Sequence, residues 1–463
     1  MACCPACLEK DRQIYELEAE LRRIKQKLRW EERKSAEGSF GSSTPSAQQP
    51  FKCNGSAANQ RRKGGGRKGH VGHGRSGVSS EQAAQVEQLA GMESCPYCQG
   101  ALEDKGRTKR TIRDIREQAL EYTVYQGKKQ WCPRCRKAIV RKPPVLPRAL
   151  YGNQLIAHAV ALHFLHGIPC SRIEQLWAGQ VPTGSLHRLF HQVAHHWRPA
   201  LETLIAEYRQ APVKHADETR WRTDGQSGYV WIFCSATVNL FRFAERRSAD
   251  VPRLVFGTEP LPGTLLVDRY AAYNQILCFI QYCYAHLKRN VEDAGKQFPH
   301  EAEVQGFVKT LTRHLGRAIK LRNKDSTDQA FYRCATRLKN KIVAVTTAPA
   351  RHPAILEIQN IFAKHEQRLY HWARDRTIPA DNNRAERELR PTVIARKVSF
   401  GSQSKRGADT RSVLTSVLYT VQKRLKASAV DGKLPQSVEQ WLKEALDTIV
   451  GDPDVCVPDL LPK

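Results

Sequence analysis

The sequence predicts a multidomain chain, α/β at its centre and α-helical around it. The centre is a mixed five-stranded sheet with flanking helices. Three observations carry this. Between residues 211 and 283, β-branched and aromatic runs recur in the order strand, two hairpin strands, helix, strand, strand. Upstream, Cys95-Pro-Tyr-Cys98 and Cys132-Pro-Arg-Cys135 form two Cys-x-x-Cys knuckles, the signature of a small metal-held module. At the N-terminus, Ile14, Leu17, Leu21, Ile24 and Leu28 step by three and four with Glu, Lys and Arg between them.

Composition narrows the class. The 463 residues carry 74 Lys+Arg against 46 Asp+Glu, a formal net charge of +28. Such an excess favours a polyanionic partner, with nucleic acid first. No apolar run approaches a membrane span, and Met1-Ala-Cys-Cys-Pro lacks the apolar core of a signal peptide. A soluble, cytoplasmic chain is therefore expected, and its 14 cysteines read as thiols and metal ligands instead of a disulfide frame.

In chain order, residues 1–36 read as a coiled-coil helix, hence self-association into at least a dimer; two heptads also suit one amphipathic helix packed on its own chain. Residues 37–80 are a glycine-rich basic linker. Its cations, Arg61, Arg62, Lys63, Arg67 and Lys68 among them, will meet phosphates whenever DNA is near. Residues 81–145 are the zinc module, with Cys95, Cys98, Cys132 and Cys135 as a tetrahedral sulfur site for one structural Zn2+. The runs Arg110 to Arg116 and Leu120 to Tyr125 alternate like strands, giving the module its own small sheet. Residues 146–210 are helical. Ser171 to Trp177 and Ser185 to Trp197 flank a turn, which suits a DNA-binding helix-turn-helix or a plain supporting bundle.

Residues 211–425 form the expected catalytic domain, with a basic helical insertion over about 290–378; residues 426–463 are a helical tail. The strand from Val213 ends in Asp217, and the buried strand Gly263-Thr-Leu-Leu-Val ends in Asp268. If those strands are neighbours, the carboxylates lie side by side and repel unless cations sit between them. Glu218 alternates to the opposite face and is set aside. A third carboxylate comes later, in Asp381-Asn-Asn-Arg-Ala-Glu386-Arg-Glu-Leu-Arg390-Pro391. Asn382, Glu386 and Leu389 share one helix face. The stretch also has capping-box spacing, with Asn383 as cap and a Glu386–Arg390 surface pair. Set after two strand-end aspartates, Glu386 is better read as a metal ligand, with Asn382 or Asn383 fixing the helix start.

Asp217, Asp268 and Glu386 then make an all-oxygen site for two Mg2+ or Mn2+ ions, suited to in-line attack on a phosphodiester. The strand order matches a ribonuclease H-like fold with the third acid on a later helix. Arg384, Arg387 and Arg390 flank Glu386, and Arg396 and Lys397 follow; all five are candidate phosphate contacts.

Four stretches carry a family resemblance: Asp217-Glu-Thr, Leu266-Val-Asp268-Arg-Tyr-Ala-Ala-Tyr-Asn274, Cys283-Tyr-Ala-His286 and Asp381-Asn-Asn-Arg-Ala-Glu386-Arg. Together with the N-terminal coil, the Gly-Arg-Lys-Gly-His linker, the paired Cys-Pro-x-Cys module and the Leu-Leu-Pro tail, they resemble the DDE transposases of the insertion sequence 66 family over nearly the whole chain. The resemblance implies a bacterial, nucleoid-associated enzyme. Such an enzyme binds terminal inverted repeats, hydrolyses DNA there and joins the ends to target DNA, in some cases with accessory proteins from the same element. It also makes Asp217, Asp268 and Glu386 the catalytic triad and His286 a supporting residue that orients a phosphate or donates a proton; a packed helix histidine is the plainer role. The family's Cys-Trp-Ala-His and Asp-Gly-Tyr read Cys283-Tyr-Ala-His286 and Asp268-Arg-Tyr here, and neither change removes a carboxylate. The competing class is a zinc-containing DNA-binding regulator with an inactive core.

Overall fold

The structure, a computed structural model, describes residues 17–18, 20–21 and 79–463, except 117–118 and 431–432. The chain divides into two units, Met1–Arg61 and Arg62–Lys463. In the first, the four described residues are helical. The rest of the expected coiled coil, and the arm with Arg61, Arg62, Lys63, Arg67 and Lys68, lie outside the described residues.

The second unit opens with a four-stranded sheet: β1 (Gln85–Leu89), β2 (Glu103–Arg116), β3 (Ala119–Cys132) and β4 (Lys137–Val140). The alternating runs around Arg110 and Leu120 are the middle of a long antiparallel β2–β3 pair. β1 runs parallel and β4 antiparallel to successive stretches of β3. Four helices follow: α1 (Asn153–Val160), extended by a π-helical turn over Ala161–Leu165, then α2 (Cys170–Leu176), α3 (Thr183–Trp197) and α4 (Ala200–Gln210). Ala178 and Gly179, both left-handed at φ 48° and 76°, make the turn between α2 and α3. α3 buries Leu186, Leu189, Phe190, Val193 and Trp197, so its 3.6-residue period points into the core.

The central sheet contains β5 (Val213–Thr223), β6 (Gln226–Cys234), β7 (Asn239–Ala244), β8 (Thr264–Val267) and β9 (Phe279–Tyr282), with α5 (Asp250–Phe256) between β7 and β8. The order is β7-β6-β5-β8-β9; β5, β6 and β7 are antiparallel, while β8 and β9 run parallel to β5. It is thus the mixed five-stranded sheet that the sequence predicts. The β5–β6 hairpin turns on Asp224-Gly225, both at positive φ (53° and 74°), the two-residue turn whose twist matches paired strands. β8 is buried along its whole length, as a parallel strand covered on both faces must be.

The remaining helices are α6 (Tyr284–Gln297), α7 (Ala302–Leu321), α8 (Asp328–Thr347), α9 (Pro353–Lys364), α10 (His371–Arg374), α11 (Asn383–Ser399), α12 (Lys405–Ala427) and α13 (Val438–Gly451). One face of the central sheet, with Trp231 and Phe233, joins the main core. The other face packs Trp221, Ile232 and Phe241 against Ala385 and Leu389 of α11 and Tyr419 of α12. Among the described residues no helix is long and apolar enough to cross a membrane.

The edge of the sheet is closed by an unexpected device. The buried residues of α12 include the polar Ser412, Ser416 and Thr420, spaced one turn apart. They lie along the free edge of β7. Phe241 N donates to Ser416 Oγ (2.8 Å), Asn239 N donates to Thr420 Oγ1 (2.9 Å) and Ser412 Oγ donates to Phe241 O (2.5 Å). A helix thus satisfies backbone groups that an uncovered edge strand would offer to another chain. Ser416→Ala is expected to lower stability by about 1–3 kcal/mol, since it strands the Phe241 amide in a dry interface. Urea denaturation checks this, and an unchanged midpoint would refute the ladder's role.

Candidate active site

The site begins on β5. The sequence reading ends this strand near Asp217, but β5 runs on to Thr223, carried by its hairpin with β6. What stops at Asp217 is the other neighbour. β5 and β8 pair from Val213↔Thr264 to His215↔Leu266, and β8 ends at Val267. The same offset sets Asp217 level with Asp268, the first residue beyond β8. Asp268 turns the chain there, its Oδ1 accepting from Tyr270 N at 2.9 Å.

Alternation decides which face each acid serves. Asp217 pairs with Ile232, whose face packs on α11, whereas Glu218 pairs with Trp231 on the main-core face. Glu218 is held on that side by Tyr273 Oη at 2.8 Å and by the Arg247 guanidinium. Arg247 Nη2 also lies 3.7 Å from Asp268 Oδ2, and its guanidinium stacks 3.8 Å above the Tyr270 ring. One arginine therefore spans Glu218 and Asp268.

Glu386 comes from the first turn of α11. It makes neither the capping box nor the pair with Arg390. Instead its Oε1 accepts from Arg289 Nη2 of α6 at 3.0 Å. Asp381 takes the Asn383 side of the helix start, its Oδ1 accepting from Asn383 N and its Oδ2 from Asn383 Nδ2, both at 3.1 Å. Asn382 does more. It is buried, its Nδ2 donates to Ala216 O (2.8 Å), its Oδ1 accepts from His215 Nδ1 (2.8 Å), and its own amide donates to Cys283 Sγ (3.1 Å). Burial drives His215 down to about 3 against the pull of that hydrogen bond, so it is a neutral donor here. The residues flanking Asp217, the start of α6 and the start of α11 are thus tied at one amide.

The acids feel one another. Burial first, then the Glu218 charge, then those of Asp268 and Glu386 raise Asp217 to about 7. His286, in the first turn of α6, is pushed down by burial and by Arg289, against the pull of Asp268 and Glu386; its Nδ1 is buried without a partner. The donor set is carboxylate oxygen throughout and carries like charge that Arg247 and Arg289 offset only in part, which fits hard divalent cations. Among the described residues, only the four module thiols bring three or more such ligand atoms within 4.8 Å of one another, so the three carboxylates stand wider apart than that.

Those thiols form the second site. Cys95–Cys135 and Cys98–Cys132 sulfur separations are 3.8 and 3.6 Å. A tetrahedron with metal–sulfur bonds of about 2.3 Å has edges of about 3.8 Å, so this spacing fits zinc and is far too long for a disulfide. Gln99 and Arg136, each one residue past its knuckle, take matching left-handed conformations at φ 55° and 51°.

The expected phosphate contacts divide. Arg387, Arg390 and Lys397 are exposed. Arg384 is tied to Ser235 O at 3.1 Å, and Arg396 to Thr219 Oγ1 (3.1 Å) and Arg220 O (2.5 Å), so both anchor α11 to the sheet. Arg387 and Arg390 line a cavity of about 300 Å³ that also reaches Arg411. Arg411 is buried against His163 Nε2 (3.0 Å) and the Phe164 and Trp221 rings, with no carboxylate partner among the described residues. Arg247, Arg289 and Arg411 escape sequence reasoning because only tertiary packing brings them to the acids and to α11.

Residues 148–410, more than half of the chain, match the Transposase IS66 family. The chain belongs to this family. All three carboxylates fall within the residues that match the transposase family, and the cysteine cluster precedes them. An uncharacterized protein, y4jD, of Sinorhizobium fredii (strain NBRC 101917 / NGR234) is 24% identical over 395 residues, spanning 77% of this chain and 75% of its own length.

Two outcomes are expected. Between the ordinary carboxylate value of 3.8 and about 7, folded Asp217 holds a proton that the unfolded chain has lost, so stability falls as pH rises through this window. Without divalent metal at about pH 8, Asp217→Asn should therefore exceed the parent in stability by up to about 4 kcal/mol, the gap closing toward about pH 4. Urea titrations at stepped pH test it, and a pH-independent gap would count against it. Separately, purified protein should carry one zinc per chain by elemental analysis, and Cys132→Ser should lose the metal and most of the stability of the β1–β4 sheet.

Proposed function

We propose that this chain is the DNA transposase of a bacterial insertion sequence. On this reading, a ribonuclease H-like core binds the element's terminal inverted repeats, hydrolyses the strand there and transfers the 3′ end to target DNA. The observation that carries the reading is the convergence of Asp217 and Asp268, level at the end of a parallel strand pair, with Glu386 on a helix packed over the Asp217 face. Membership of the transposase family supports it.

Asp217, Asp268 and Glu386 would hold the two Mg2+ or Mn2+ ions, which when bound would activate water or a 3′-hydroxyl and stabilise the leaving oxygen. The chain's own residues do the rest. Asn382 holds the start of α11 against β5, so Glu386 keeps its place beside Asp217. Arg247 and Arg289 offset part of the acid cluster's charge before cations arrive. Arg387, Arg390 and Lys397 are free to meet DNA phosphates, whereas Arg384 and Arg396 hold the helix that presents them. His286 lies close enough to Asp268 and Glu386 to feel their charge, which supports a role in orienting a phosphate oxygen. The zinc module is a structural, DNA-contacting part, and the acting form is a cytoplasmic homo-oligomer on the nucleoid, joined in some steps by proteins of the same element.

The test is metal-dependent cleavage and joining of inverted-repeat DNA. Glu386→Gln and Asp217→Asn should each lower the rate by at least about 1000-fold while leaving folding and end binding intact. Pre-cleaved ends supplied with a target plasmid should be joined by the parent protein. A parent that binds ends yet cuts nothing under any divalent metal would instead favour the regulator with an inactive core.

A further inference from the structure

A further concavity is lined by none of the three acids. It is a cleft of about 930 Å³ whose walls come from three distant parts of the second unit. Arg110 of β2 and Lys142 and Arg148 beyond β4 form one wall, Arg198 at the end of α3 another, and Arg406 in the first turn of α12 the third. None of these five cations makes an ion pair with a carboxylate among the described residues. The single acid in the lining is Asp409, which together with Glu202 also faces the half-buried Arg242.

Two further features fix the walls that carry these cations. Arg148 adopts a left-handed backbone at φ 61°, a conformation rare for a residue with a side chain and characteristic of sites where placement matters. The walls are also pinned together: Gln192 Nε2 donates to Pro147 O at 3.0 Å beside Arg148, and His191 Nδ1 meets Thr410 Oγ1 at 2.6 Å beside Arg406. His195 and His196 add ring nitrogens to the α3 wall. The N-terminus of α12, a helix of 23 residues, contributes its positive end to the same space.

Arg110 Nη2 donates to Ala149 O at 2.5 Å, but like charges gathered without a carboxylate partner still repel, at a cost that a polyanion removes. We infer that this cleft is a second DNA-binding surface, which grips the sugar–phosphate backbone of duplex DNA outside the catalytic centre. It rests on the proposed function only in taking DNA as the partner; it needs no cleavage. None of its cations belongs to the α11 set, and three sequence-distant segments must fold before it exists. Because Arg110, Lys142 and Arg148 adjoin the sulfur-bound module while Arg406 sits one helix beyond α11, a duplex held here links the module to the helix that bears Glu386.

The experiment measures binding of a short labelled duplex by full-length protein across a salt series, without divalent metal, so that a failure of catalysis does not enter. The triple variant Arg148→Ala/Arg198→Ala/Arg406→Ala removes three exposed cations. Arg313→Ala/Arg333→Ala/Arg337→Ala removes the same number from α7 and α8, outside the cleft. The cleft triple should reduce the slope of log K against log salt by about 2.7, because each phosphate contact contributes about 0.9. The control triple should leave the slope near that of the parent. Equal losses from both triples, or no loss from the cleft triple, would overturn the proposal, as would binding of single strands or RNA that depends on the cleft when duplex binding does not. Should the triple melt early, Arg198→Ala and Arg406→Ala singly each replace it, with an expected slope change of about 0.9 apiece.

Discussion

Everything in the acid site depends on one buried side-chain amide. Asn382 gives its Nδ2 to the carbonyl of Ala216, takes the ring proton of His215 and sends its backbone N–H to the sulfur of Cys283. These partners lie on β5 immediately before Asp217 and at the start of α6, which carries His286 and Arg289. A neutral hydrogen bond contributes about 1 kcal/mol net, but a buried partner left unmade costs about 1–3 kcal/mol. Three such bonds at one residue therefore penalise any displacement of α11 far more than they stabilise its place. The helix can slide only by orphaning groups on two other elements. Neutrality of His215 is part of this, since a charged imidazole at that depth would be desolvated and would face the positive charges of Arg384, Lys423 and Arg322.

A rigid frame is required because the frame holds charges that repel. Asp217 is raised to about 7 by burial and by Glu218, Asp268 and Glu386, so the protein has been folded against the electrostatics of its own site. Arg247 and Arg289 lessen the conflict from opposite sides: one spans Glu218 and Asp268 on the main-core side, the other meets Glu386 near the surface. The second pair is largely exposed and therefore weak, so Glu386 can leave it at little cost. The first is half-buried and stacked on Tyr270, which makes it a fixed part of the wall.

Periodicity and turn chemistry made much of this legible in advance. The five strands, the helix between the third and fourth, the paired cysteine knuckles and the face of β5 that carries Asp217 all follow from alternation and ligand spacing, which are local. Glu218 was rightly assigned to the opposite face on the same ground. What stayed hidden was tertiary. Asp217 lies mid-strand because β6 extends β5, while β8 ends level with it. Asn382 was read as a helix cap, yet its side chain spends both ends on β5, and Asp381 serves Asn383 in its stead. Nothing in the spacing of Ser412, Ser416 and Thr420 announces a ladder on an edge strand, because the same residues on an exposed helix would face water. Arg384 and Arg396 looked like free cations beside Glu386, and burial converted them into struts.

Charge on this chain is therefore sorted by place and not merely in excess. A cluster of carboxylates that accepts divalent cations repels a phosphodiester until those cations are bound, and a net charge of +28 spread evenly would not change that locally. At a Debye length of about 8 Å in physiological salt, only cations within one or two residues' reach of the substrate matter to it. The free guanidiniums of α11 meet that condition at the acid site, and the unpaired cations around the cleft meet it for DNA lying further along the surface. Separating the two has a consequence. As a second DNA-binding surface, the cleft would hold a duplex through many screened contacts before any phosphate approached the acids, and the energy of that binding would be available to bring one strand against a site that otherwise repels it. The buried Arg411, whose charge is opposed by no carboxylate among the described residues, shares a cavity with Arg387 and Arg390 and so adds to the positive charge against α11.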